Sequence, residues 1–185
     1  GDIAVGAMTI MTSVMQFSML PLQGLTQGAQ PIISFNYGAG NIERVKKAFR
    51  LLLASSLVYS TLLWAIAMFL PHVFIAIFTS SAELSAYVTW SIRIYMAASL
   101  LFGIQIACQQ TFIALGNALT SVFLALLRKV ILLIPLIFIL PALLPDKVFG
   151  VFLAEPVADT IAVTVTGILF LREYKRLSHK KVGMD

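Results

Sequence analysis

The chain has 185 residues, of which 59% are apolar and 11% charged, with a net charge of +5 and a mean hydropathy of +0.95. Soluble domains hold roughly 45–50% apolar and about 25% charged residues. The balance therefore argues against a soluble enzyme, a nucleic-acid binder and a disordered tail, and implies an integral membrane protein. In lipid the length allows about five helices of roughly 20 residues plus loops. The basic residues gather at the ends of apolar runs, which reads as orientation in a bilayer helped by anionic lipid, not as nucleic-acid binding. Cys108 is the one cysteine, and His72 and His179 lie far apart, so no disulfide, metal site or cofactor is expected. The chain opens Gly1-Asp2-Ile3 without a signal-peptide pattern, and is expected to be the C-terminal part of a longer protein.

Five apolar stretches follow in order, each long enough to cross about 30 Å of hydrocarbon as a helix. The first, about 3–36, carries Gln16, Gln23, Gln27 and Gln30 on one broad helix face, together with Pro21, Pro31 and the GxxxG of Gly24 and Gly28. The prolines free the carbonyls of Phe17 and Gln27. Such a helix faces protein or water, not lipid. Its amides and small residues serve either helix packing or the lining of a polar cavity. In 41–50, Ile42, Val45 and Phe49 fall at helical spacing among basic residues, with Asn41 as N-cap. This predicts a short amphipathic helix on the cytoplasmic leaflet or, nearly as well, a solvated loop.

The second stretch runs over about 48–78 and the third over about 84–115. Arg93 is placed to snorkel near the outer end of the third, and Gln105 and Gln109 share a face beside Gln110. Gly116-Asn117 reads as a tight turn. The fourth stretch, about 118–144, contains Arg128 and Lys129. Pro145-Asp146-Lys147 marks another turn, and the fifth stretch, about 148–171, contains Glu155, Pro156 and Asp159. A basic tail, 172–185, ends the chain.

Continuous apolar runs without strict alternation mean helices, not a membrane barrel, so the fold class is an all-α polytopic bundle. Arg44, Lys46, Lys47 and Arg50 follow the first helix; Arg172, Lys175, Arg176, Lys180 and Lys181 follow the fifth. Five crossings put both segments on one side, which their charge makes cytoplasmic.

The fourth and fifth helices form a hairpin turning near Pro145. Arg128 and Asp159 differ in their distance from that turn by about 4–5 Å along the axis, so they can meet at one depth. A charge near the bilayer centre costs at least ~2.5 kcal/mol, which demands pairing or a cavity. Glu155 shares the face of Asp159 at i, i+4. The group reads either as a pair that fixes helix register or as a charge site for a cationic substrate or a proton. No GxSxG, P-loop, HExxH or dinucleotide fingerprint occurs, and two acids one turn apart do not form a facing aspartyl dyad, so no enzyme is expected.

The run from Gly24 to Asn41 (GLTQGAQPIISFNYGAGN), followed by Arg44-Val45-Lys46 and Ala48-Phe49-Arg50, resembles the multidrug and toxic compound extrusion (MATE) family, and in particular its MepA-like branch. Ala114 to Asn117, Leu127-Arg128 leading to Ile134-Pro135-Leu136, and Ala154 to Asp159 add weaker matches. The resemblance implies twelve helices in two six-helix lobes that export drugs and organic cations against protons or sodium by alternating access. This chain would then be helices eight to twelve of the C-terminal lobe, without the N-terminal lobe and the seventh helix. The acid that some branches carry in the tenth helix has no counterpart in 102–110. What the resemblance carries over is half of a central cavity: Gln16, Gln23, Gln27, Gln105, Gln109, Arg128 and Asp159, with Glu155 in the charge pair. Met15, Phe17, Tyr37 and Met96 would offer soft and cation–π contacts. A lipid-linked oligosaccharide flippase of the same superfamily would need several cavity Arg or Lys, of which only Arg128 and Lys129 qualify, so it ranks second. A non-transporting remnant or assembly subunit is the alternative outside transport.

Overall fold

The computed structural model describes residues 2–182, and every regular element among them is helical. α1 (Asp2–Gly38) is one helix of 37 residues that contains both Pro21 and Pro31. The chain turns at Gly40, whose φ of +75° suits glycine, into α2 (Ile42–Phe69). The short α3 (Pro71–Phe78) and α4 (Ala82–Tyr95) follow. A 3-10 turn at Ser99–Leu101 leads into α5 (Phe102–Ala114). α6 (Ala118–Leu126), a π-helical segment (Leu127–Leu133) and α7 (Ile134–Leu143) run on as one rod, and α8 (Lys147–Val182) ends the described chain.

Four rods have the length and hydropathy of membrane spans: α1, α2, the α6–α7 rod and α8. The α4–α5 pair, bent by 47°, makes a fifth. Five crossings are what the hydropathy predicts, but the boundaries differ. The second stretch, expected at 48–78, starts at Ile42 and stops at Phe69. Pro71 disfavours helical backbone at the residue before it, so Leu70 leaves the helix at φ −131° and ψ 51°, and Pro71 opens α3. The basic segment 41–50 is not a separate surface helix. Its apolar residues Ile42, Val45 and Phe49 are buried in the protein within the first turns of α2. Asn41 holds the cap position, yet its side chain makes no capping bond.

The third stretch, expected as one helix over 84–115, is two. Ser60 of α2 donates its hydroxyl to the Leu100 carbonyl at 2.9 Å, inside the break. A Cβ added to Gly103 would stand 2.5 Å from the Ser56 carbonyl oxygen. α2 and α5 therefore cross almost backbone to backbone, as small residues allow in membranes. Both expected turns hold. Gly116 takes φ +82°, and Asn117 Oδ1 accepts from the Thr120 hydroxyl at 2.9 Å. Asp146 Oδ1 accepts the backbone N–H groups of Val148 (3.0 Å) and Phe149 (3.2 Å). Arg93 donates Nε to the Met68 carbonyl, a free acceptor in the last turn of α2, at 3.0 Å.

The core has two clusters. One joins the N-terminal half of α1 to the C-terminal half of α2, α3, α4 and Phe152. The other joins the α1–α2 turn to α5, Leu124, Phe170 and Leu177. At this second end Lys46 donates Nζ to Ser178 Oγ and stands 5.2 Å over the Tyr174 ring. The two basic segments thus share one end of the bundle, as the charge argument requires. The tail expected at 172–185 continues α8 as helix through Val182, and residues 183–185 lie outside the described residues. The α6–α7 rod packs mainly on α8 and exposes Leu119 (85%), Phe138 and Leu143, the surface of a span set in hydrocarbon.

Candidate functional site

The glutamine face of α1 lies opposite its buried face. Met11, Val14, Leu22, Thr26 and Ile33 pack inward; Gln16, Gln23, Gly24, Gln27 and Gly28 are exposed. A Cβ at Gly24 or Gly28 would meet nothing within 4 Å, so no helix of the described chain packs on the GxxxG. Gln23 and Gln27 border an open cavity of about 290 Å³, lined also by Ile106, Gln109, Gln110 and Ile113 of α5 and Ser121 of α6. Gln109 donates Nε2 to the Ser121 carbonyl at 3.3 Å. Gln110 Oε1 is buried without a donor. Four amides and a serine supply donors and acceptors without a formal charge, a lining suited to water or to the polar edge of a mixed-polarity molecule.

The structure therefore brings together Gln23, Gln27 and Gln109, but not the other candidates. Gln16 borders a separate groove with Ser13, Phe17, Leu20 and Phe78. Gln105 is 2% exposed, and neither of its amide atoms has a partner. Met15 and Met96 are core residues and offer no surface to a cavity. Tyr37 packs half-buried on the other core cluster. Phe17 is exposed and lines an apolar groove of about 520 Å³ with Tyr59, Leu62 and Phe74.

The ions form a second polar centre. Arg128 donates Nε to Asp159 Oδ1, and Nη2 to Glu155 Oε1 at 3.3 Å. Lys129 donates Nζ to the same Glu155 oxygen at 3.3 Å. Both carboxylates are buried, while the Lys129 side chain is 53% exposed. The Arg128 guanidinium also lies 5.4 Å from the centre of the Phe102 ring. The depth match between Arg128 and Asp159 expected from the hairpin is present. The π-helical segment is not foreseeable from apolar period alone. Its i→i+5 turns change the angle between Arg128 and Lys129, and both reach α8. Pro135, just beyond it, has no N–H for the Ile131 carbonyl, which removes one restraint on the regular α ladder.

Gln110, Ser121 and Thr166 are polar groups of this region outside the expected set. Thr166 Oγ1 is buried without a partner; its signal in the sequence is its place seven residues beyond Asp159, on the same helix face.

The described chain is a polytopic bundle of membrane-spanning helices with an amide-lined hollow between α1, α5 and α6. The chain belongs to the MatE family, whose model matches residues 1–139. The multidrug export protein MepA of Staphylococcus saprophyticus is 25% identical over 171 residues, covering 91% of this chain and 38% of that protein. MepA of Staphylococcus aureus (strain NCTC 8325) is 26% identical with the same coverage. Among solved structures, the MATE multidrug transporter DinF-BH in complex with R6G matches with a TM-score of 0.80 and 30% identity, over 91% of this chain and 37% of that one. An outward-facing multidrug resistance MATE family transporter matches with a TM-score of 0.87 at 16% identity, over 97% of this chain and 40% of that one. An inward-facing one matches with 0.86 at 15%, over 95% and 40%. The chain thus spans well under half the length of the relatives it matches.

Proposed function

We propose that this chain forms one lobe of a secondary active exporter of drugs and organic cations in the plasma membrane. The opposite side of its cavity is supplied by an N-terminal lobe, and its C-terminus faces the cytoplasm. Export is coupled to a proton or sodium and proceeds by alternating access. The observation that carries this reading is the hollow lined by Gln23, Gln27, Gln109, Gln110 and Ser121, between α1, α5 and α6. Amides in oil need such partners or water, and transporters built of repeats bind substrate between their halves near the bilayer midplane. The name of MepA, a multidrug export protein, and the complex of DinF-BH with R6G support an exporter of drugs. Equal likeness of the fold to outward-facing and inward-facing structures supports a lobe that moves as a unit. The test is efflux of a fluorescent organic cation from energised vesicles containing the complete transporter. Replacing Gln23 and Gln109 together by Leu is expected to cut the rate about tenfold or more, whereas unchanged efflux would remove the pocket from the transport path.

A further inference from the structure

Unsatisfied polar atoms form a seam along α5 and α8, which pack on each other. Asp159 Oδ2, both amide atoms of Gln105, and Thr166 Oγ1 are buried without partners. Phe102 of α5 lies under Arg128, which Asp159 holds. Phe112 of α5 meets Phe170 of α8 edge-on at 5.4 Å. Gln105 and Gln109 fall between those two phenylalanines on one arc of α5, about 80° wide at 100° per residue. Gln109 is already in the pocket. Thr166 lies two turns beyond Asp159 on the same face of α8.

Asp159 Oδ2 is the exceptional member of this seam. A buried acceptor with no donor is costly, and a charged one most of all. Its surroundings hold two carboxylates, Glu155 and Asp159, against one mostly buried cation, Arg128; the second cation, Lys129, sits at the half-exposed rim. Tyr95 of α4 faces the same group, and α5 contributes the Phe102 ring. A metal ion at Oδ2 would need several more oxygens beside two existing cations, whereas a proton needs one.

We infer that Asp159 is a proton-binding site. Hydronium gives its proton to Oδ2, leaving water, and Oδ1 continues to accept from Arg128. Protonation changes the cluster from two positive and two negative charges to a net +1. Gln109 lies seven residues from Phe102, about 10 Å along α5. A unit charge at that range and an effective dielectric of about 20 weakens binding of a cation in the glutamine pocket about tenfold. By linkage the bound cation opposes the proton equally. The site stands without the export reading; the competition rests on it.

Infrared difference spectra of the complete transporter in lipid nanodiscs, between about pH 8 and about pH 5, test the site alone. A protonated-carboxyl band that shifts in D2O is expected in the wild type and in Glu155→Gln, and is expected to vanish in Asp159→Asn. No band in the wild type, or a band that survives Asp159→Asn in protein that remains monodisperse, overturns the inference. Equilibrium binding of a rhodamine dye tests the competition. Wild-type affinity should fall about tenfold from the higher to the lower pH, and Asp159→Asn should remove that dependence. Equal wild-type affinity at both pH values overturns the competition. An Asp159 band with no dye binding at any pH supports the proton site and defeats the export reading instead.

Discussion

The glutamine pocket and the ion cluster are both polar islands in an apolar bundle, yet they are built on opposite principles. The pocket is uncharged, open and loosely bonded, with one side-chain hydrogen bond joining α5 to α6. The cluster is ionic, largely closed and tightly bonded, with three cation–carboxylate contacts joining the π-helical segment to α8. Amides can be wetted, emptied and refilled at modest cost, so they suit a surface whose occupant changes. Buried ions must keep their partners, so they hold α8 against its neighbour and tolerate only a change as small as a proton.

The largest effect should separate these roles. Arg128→Ala leaves the buried Asp159 without a cation and Glu155 with Lys129 alone, and is expected to destabilise the fold by about 3–5 kcal/mol, seen as loss of monodisperse protein on heating. Replacing Arg128, Glu155 and Asp159 together by Met, Gln and Asn should recover most of that loss; if it does not, the cluster contributes more than pairing. Next, Gly103→Ala drives a methyl into the Ser56 carbonyl and should cost about 1–3 kcal/mol, by the same thermal assay, with little change at the pocket. Gln109→Leu should leave stability within about 0.5 kcal/mol while weakening dye binding about tenfold. An equal loss of stability would make the pocket structural and erase the contrast. The smallest change is Gly24→Ala. Open space surrounds it, so helix propensity alone predicts a gain of about 0.5–1 kcal/mol in the isolated lobe. A loss of export in the complete transporter despite that gain would show that the opposite lobe packs closely there.

Hydropathy and charge were enough to read five crossings, their turns and the shared end of the two basic segments. Those properties follow from transfer free energy, which sums over many residues and forgives local detail. Helix breaks were not legible in the same way. Leu70 is broken by a proline signal inside an otherwise apolar run. The α4–α5 bend depends on Ser60 of another helix reaching the Leu100 carbonyl, which no local pattern announces. The apolar side of 41–50 was visible as a stripe, but not that α5 and α8, instead of lipid, cover it. At the site, depth arithmetic placed Arg128 beside Asp159. Periodicity put Gln16 on the face of Gln23 and Gln27, yet the pocket takes only the latter two, because α5 and α6 reach only that part of α1. Gln105 shares a face with Gln109 and still ends up buried, since its depth along the crossing with α8, not its angle, decides its surroundings.

The central claim is that the glutamine face borders a water-filled path occupied by transported cations. Reactivity of single cysteines toward a membrane-impermeant charged maleimide tests it most directly, in the complete transporter with Cys108 replaced by Ala. Cysteines at Gln23 and Gln109 should label readily and be protected by an organic cation, while one at Leu119, on the lipid-facing rod, should stay unlabelled. Labelling at Leu119 but not at Gln23 and Gln109, or labelling that no cation slows, would contradict the account.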